Sequence, residues 1–121
     1  MRVLAVDPGS EHVGWVIGAG NKAELWGEKH PEEFLASMDQ PPVIGRIVVE
    51  RFDIRQFTRD SMLTVELIGA IKNVCRQRNL DLAFVNASSK VKTITRVRSD
   101  ITGHARDAEA IRLYDLEYGT W

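Results

Sequence analysis

A mixed five-stranded α/β sheet with helices on both faces is the fold class this sequence predicts. Three observations predict it. Five short, mainly apolar segments of strand length occur at 3–6, 13–17, 23–26, 44–49 and 82–85. The first three follow one another through turn residues alone, so they can form an antiparallel meander. The last two are each preceded by a helical segment, and strands joined through a helix pair in parallel.

Taken in order, residues 3–6 form an uninterrupted apolar run, the pattern of a strand buried on both faces. It stops at Asp7-Pro8-Gly9-Ser10, a turn signal. Residues 13–17 and 23–26 read as the next strands, with Gly18, Gly20 and Asn21 marking a hairpin between them. Pro31-Glu32-Glu33 opens a short helix, because proline suits a first turn and acids complement the positive end of the dipole. Phe34, Leu35 and Met38 form its apolar side, and Pro41-Pro42 ends it. Residues 44–49 form a further strand that finishes in Glu50.

Asp60-Ser61 opens a long helix to about Arg78. Leu63, Leu67, Ile68, Ala70, Ile71, Val74 and Cys75 fall on a face about 160° wide at about 100° per residue. Met62 and Val65 lie off that face, which predicts a second buried side. Residues 82–85 are the fifth strand, residues 86–103 have no clear period, and residues 104–118 form the last helix, ended by Gly119.

The 121 residues fit one domain, with 44% hydrophobic and 27% charged residues, a globular balance. One cysteine, Cys75, makes no internal disulfide, and His12, His30 and His104 lack zinc spacing. No run reaches membrane-spanning length and the start has no signal-peptide pattern, so a cytoplasmic protein is expected. Net charge is −1, but residues 90–106 carry Lys90, Lys92, Arg96, Arg98 and Arg106 against Asp100 alone. A second basic cluster, Arg51, Arg55 and Arg59, follows Glu50. Basic clusters beside isolated carboxylates suit phosphate binding. Alone, they fit a solvated loop equally well.

Asp7 and Glu50 each end a buried apolar run, and an ionised, unpaired carboxylate in a dry interior is costly. Ligands bind at the carboxyl ends of strands in open α/β sheets. If the two strands are adjacent and parallel, both acids meet at one edge, where a hard divalent cation relieves their repulsion. In the last helix His104, Asp107, Ala108, Ile111, Tyr114 and Tyr118 share a face, so its first turn presents His104 and Asp107 to that edge. Each of these acids has a plainer explanation alone. Asp107 complements a helix dipole, and Glu50 can pair with a following arginine.

Together the motifs resemble RuvC-type Holliday junction resolvases. Asp7-Pro8-Gly9-Ser10 with Gly14 looks like their opening, and Glu50 after Ile47-Val48-Val49 like their second acidic strand end. Asp60-Ser61 with Leu67 and Gly69 is similar to the helix that follows. Ser88-Ser89-Lys90-Val91-Lys92 resembles the segment after the next strand, and Gly103-His104-Ala105-Arg106-Asp107-Ala108 the final motif. The resemblance spans nearly the whole chain, although residues 92–104 are shorter than the family's usual segment, as in a phage-type member.

The resemblance implies an RNase H-like fold, strand order 3-2-1-4-5, over residues 1–121. It implies a metal-dependent endonuclease cutting branched DNA with two Mg²⁺ or Mn²⁺ ions per site. Asp7 would bridge both ions, Glu50 and Asp107 would hold one each, and His104 would orient or deprotonate water. Lys90, Lys92, Arg96, Arg98, Arg51 and Arg55 would hold the DNA backbone. Phe52 and Phe57 would stack on unpaired bases, with core packing as their plainer role. A homodimer through the helix at 60–78 would supply paired nicks. A nuclease of broader selectivity or for ribosomal-RNA processing, and a non-catalytic nucleic-acid-binding relative, are the alternatives. An ATPase-type module needs phosphate loops and a second half that 121 residues do not supply.

Overall fold

The computed structural model describes residues 1–38, 43–52 and 58–119. The strands are β1 (Val3–Asp7), β2 (Val13–Ala19), β3 (Lys22–Lys29), β4 (Arg46–Glu50) and β5 (Asp81–Val85). The helices are α1 (Pro31–Ser37), α2 (Arg59–Arg78) and α3 (Gly103–Tyr118), with short 3-10 turns at Ala87–Lys92 and Ile94–Arg96. The five strands form one sheet in the order β3-β2-β1-β4-β5. β1 pairs antiparallel with β2 and β2 with β3, whereas β1–β4 and β4–β5 are parallel. The mixed sheet is the one the sequence predicts, and its order is the one the family resemblance implies.

Strand alternation divides the core into two layers. Leu4, Val6, Val13, Ile17, Ile47 and Val49 pack against Phe34 of α1 and Leu67, Ile71 and Cys75 of α2. Val3, Ala5, Val16, Val48 and Val85 pack on the other face against Ala105, Ala108 and Ile111 of α3. At the start of α2, Thr58 and Ser61 satisfy each other's backbone N–H groups as a capping box. At its end Asn79 takes a left-handed conformation, φ 54°, which stops the helix.

Several boundaries and faces differ from the sequence reading. β3 runs on through Glu28 to Lys29, because pairing with β2 outlasts the apolar run. β4 starts at Arg46, and Ile44 is buried ahead of it. The buried side of α2 is the narrow row Ser61, Thr64, Leu67, Ile71 and Cys75. Leu63, expected on the buried face, is 38% exposed, beside Met62 at 43% and Val65 at 36%. The second buried side expected for Met62 and Val65 is therefore solvent-facing in this chain. The helix-ending pair Pro41-Pro42 lies outside the described residues.

α3 also buries more than its apolar period suggests. Glu109, Arg112 and Asp115 are each 2% exposed, and charge at that depth is tolerated only when paired. Arg112 pairs with Glu109 and donates to the Gly20 carbonyl at 2.7 Å. Asp115 accepts two bonds from the Arg46 guanidinium of β4, at 2.7 and 2.9 Å. Tyr118, expected on the docking face, is half exposed. The segment before α3 is anchored by Thr93, whose buried hydroxyl donates to the Ala110 carbonyl at 2.6 Å.

Candidate active site

Alternation fixes which face each strand-end acid occupies. Val3 and Ala5 face α3, so Asp7, two residues on, faces it too; Val48 does the same for Glu50. The parallel register pairs Val6 with Val49, which brings Asp7 and Glu50 side by side where both strands end. On the other flank Asp7 is opposite Gly14, and Gly14 is opposite Glu28. Glu28, Gly14, Asp7 and Glu50 thus form one row across the sheet beneath the first turn of α3.

Gly14 lets that turn descend. A Cβ there would lie 2.6 Å from the Cβ of His104 and closer still to the His104 carbonyl. Gly103 begins the helix with φ 62°, a left-handed conformation that glycine adopts without strain, and a Cβ there would meet a Glu28 carboxylate oxygen at 2.9 Å.

The descent sets His104 Nδ1 3.2 Å from Asp7 Oδ2. One ligand atom each from Asp7, His104 and Asp107 lies within 4.8 Å of the others. This donor set of two carboxylates and one imidazole fits a divalent cation that accepts oxygen and nitrogen. Glu50 adjoins the group but is engaged otherwise. Lys90, from the 3-10 turn after β5, places Nζ 2.7 Å from Glu50 Oε1 and 3.8 Å from Asp107 Oδ1.

Electrostatics follow from this crowding. Burial, then the hydrogen bond to Glu50 and the neighbouring Glu50 and Asp107 charges, push Asp7 up to about 9 against the pull of Lys90. Burial also works against the Glu50 charge, but hydrogen bonds from the Asp7 carboxyl and Lys90 hold Glu50 below the usual carboxylate range. The two carboxylates therefore titrate as a coupled pair, with Asp7 held up and Glu50 held down. Burial disfavours the Lys90 charge, yet Glu50, Asp107 and Asp7 together raise Lys90 above the ordinary lysine value.

Asp7, Glu50, His104 and Asp107 thus converge, and of the expected backbone-binding residues Lys90 joins them. Arg51 and Phe52 are exposed just beyond Glu50, while Arg55 and Phe57 lie outside the described residues. Lys92 sits over the Tyr118 ring at 5.3 Å, and Arg96 pairs with Glu117. Those partners are ten and eleven residues past Asp107, about 15 Å along the helix at about 1.5 Å per residue. Arg98 pairs with Asp100 at 2.8 Å and covers the Trp26 ring at 5.0 Å.

Two neighbours went unread in the sequence. Glu28 Oε1 lies 3.9 Å from His104 Nε2, and the His12 ring stacks on His104 at 6.0 Å. The hairpin register carries the signal for Glu28, but an irregularity between Ile17 and Gly18 shifts the count.

No family model matches the sequence, and no curated protein matches it. Among solved structures, the chain is similar to Thermus thermophilus RuvC in complex with a Holliday junction substrate. That match has TM-score 0.75 and 15% identity, covering 98% of this chain and 94% of the other. A second Thermus thermophilus RuvC structure matches with TM-score 0.69 and 14% identity, over 98% of this chain and 95% of the other. A ROK family protein from Streptococcus pneumoniae in complex with sucrose matches with TM-score 0.53 and 13% identity, over 78% of this chain and 37% of that one. The β3-β2-β1-β4-β5 sheet between α1–α2 and α3 is the RNase H-like fold as RuvC builds it.

Proposed function

We propose that this chain is a metal-dependent endonuclease that cuts branched DNA. The observation that carries the reading is the Asp7, His104 and Asp107 cluster, with Glu50 beside it, at the carboxyl edge of the parallel strands. That is where open α/β sheets bind ligands. The fold, and the junction DNA bound by the Thermus thermophilus protein that shares it, support the substrate class.

Asp7 and Asp107 would hold a Mg²⁺ or Mn²⁺ ion, with Glu50 on a second. The bound ion supplies Lewis acidity toward a phosphoryl oxygen and a more acidic water. A cation held there would favour ionised Asp7, because its charge would offset the burial and the Glu50 and Asp107 charges that keep the proton on. His104 presents Nδ1 to the same space, where it can accept a proton from water or donate a ligand lone pair. Arg51 and Arg55 would hold the DNA backbone beyond Glu50, and Phe52 and Phe57 would stack on exposed bases. The chain acts as one cytoplasmic nuclease domain, residues 1–121. It works as a homodimer through the exposed Met62, Leu63 and Val65 of α2, where Gly69 leaves open space.

One observation favours a second reading, a nuclease of broader structure selectivity. Lys92, Arg96 and Arg98 are taken up by Tyr118, Glu117 and Asp100, which leaves less basic surface for a four-way junction.

Cleavage of labelled four-way, flap, RNA–DNA hybrid and duplex substrates with Mg²⁺ or Mn²⁺ tests both readings. Preferred cutting of the four-way junction supports the resolvase, and equal cutting of flaps supports the broader nuclease. Undiminished cutting in EDTA contradicts the metal site.

A further inference from the structure

The carboxylates of this site do not form one continuous metal cage. Asp7, His104 and Asp107 bring ligand atoms within 4.8 Å of one another. Glu50 borders Asp7 but lies outside that group, with Lys90 Nζ 2.7 Å from its Oε1. The same ammonium lies 3.8 Å from Asp107, so it sits between two of the acids expected to hold ions. A positive charge there does what a second cation would do: it offsets the repulsion between neighbouring carboxylates.

We propose that the Lys90 ammonium is a built-in cation that holds the second metal position, so that the metal-loaded chain without DNA takes one divalent ion. This rests on the metal-site reading above and adds what controls its stoichiometry.

The placement of Lys90 makes the competition effective. Its 3-10 turn, Ala87–Lys92, follows β5 directly, and β5 ends opposite Glu50 through the Val85 pairing. The ammonium is thus tethered to the edge where Glu50 emerges, at a high effective concentration. Its side chain is only 20% exposed and that of Glu50 12%, so water screens their attraction weakly. A divalent ion binding Glu50 must displace the ammonium or accept its repulsion. An ion at Asp7, His104 and Asp107 disturbs a weaker contact, because Lys90 Nζ is 3.8 Å from Asp107 Oδ1 against 2.7 Å from Glu50 Oε1.

Altering a group that partners a metal ligand shifts metal affinity by about 10–100-fold. Neutralising Lys90 should therefore tighten the second site by at least about tenfold, while Lys90→Arg, which keeps the charge, should not.

Mn²⁺ is titrated into the full chain, wild type, Lys90→Gln and Lys90→Arg, without DNA. Free Mn²⁺ is followed by electron paramagnetic resonance and folding by circular dichroism. One ion per chain in wild type and Lys90→Arg, rising to two in Lys90→Gln, is the expected result. Two ions of similar affinity in the folded wild type overturn the proposal and leave the metal site standing, as does a single ion in folded Lys90→Gln. No binding in any of the three overturns both. If Lys90→Gln does not fold, Lys90→Met is titrated and read by the same counts.

Discussion

The backbone of His104 crosses Gly14 so closely that a Cβ on Gly14 would lie 2.6 Å from the His104 Cβ. This contact joins the second strand to the first turn of α3 and sets the depth at which His104 and Asp107 meet Asp7. A methyl group at position 14 must lift that turn. Gly14→Ala is predicted to destabilise by about 1–3 kcal/mol, the range for overpacking a filled site. It should also weaken Mn²⁺ binding, because the ligand atoms separate. Melting curves with and without Mn²⁺ check this: unchanged metal affinity would show that the crossing does not position the site.

Asp7 gives the metal-free protein a pH dependence of defined sign. In the folded chain its pKa is pushed up to about 9, above the ordinary aspartate value of 3.8. Between those values the folded chain holds a proton that the unfolded chain has lost, so stability falls as pH rises, by at most about 1.4 kcal/mol per pH unit for one proton. Glu50, held low, is ionised in both states above about pH 5 and adds no slope there. Melting in EDTA from pH 5 to 9 should show the decline, and Asp7→Asn should flatten it while raising stability at neutral pH. Parallel curves for the two proteins would remove Asp7 as its source.

Asp107→Asn and His104→Ala should separate ligation from proton transfer. Asp107 is a ligand in this account, so its loss weakens metal binding and rate together. Loss of His104 as a base lowers the rate by roughly 10²–10⁴-fold with metal affinity largely kept. Equal loss of metal affinity in both variants would make His104 a ligand.

The Arg46–Asp115 pair should matter for stability alone. Both side chains are under 10% exposed and joined by two hydrogen bonds. Asp115→Ala breaks a buried charge pair, for which about 3–5 kcal/mol is typical. Asp115 lies eight residues, about 12 Å, beyond Asp107 along α3, so Mn²⁺ affinity measured below the melting transition should hold. A loss under about 1 kcal/mol would mean the pair contributes little.

Whereas the strand order came with the family resemblance, the mixed sheet was legible because run lengths, turn residues and helical segments between strands are local patterns. The convergence of Asp7, Glu50, His104 and Asp107 was legible for the same reason, since strand ends and a helix start are visible in sequence. Side-chain pairing was not. Nothing local in Lys90 distinguishes it from Lys92, yet one neutralises Glu50 and the other covers Tyr118. The buried side of α2 was misread because Ser61 and Thr64, not Leu63, face the core. Hydrophobic periodicity cannot see polar residues whose bonds are satisfied locally, as Thr64 is by the Asp60 carbonyl.

In the proposed function Asp7 and its neighbours cut branched DNA through a bound metal ion. A supercoiled plasmid carrying an extruded cruciform tests it most directly, with wild type, wild type in EDTA and Asp7→Asn compared at equal protein concentration. Linear plasmid is expected from wild type with Mg²⁺ or Mn²⁺, and uncut plasmid in the other two reactions. Linear or nicked product from Asp7→Asn at the wild-type rate, or from wild type in EDTA, would contradict it.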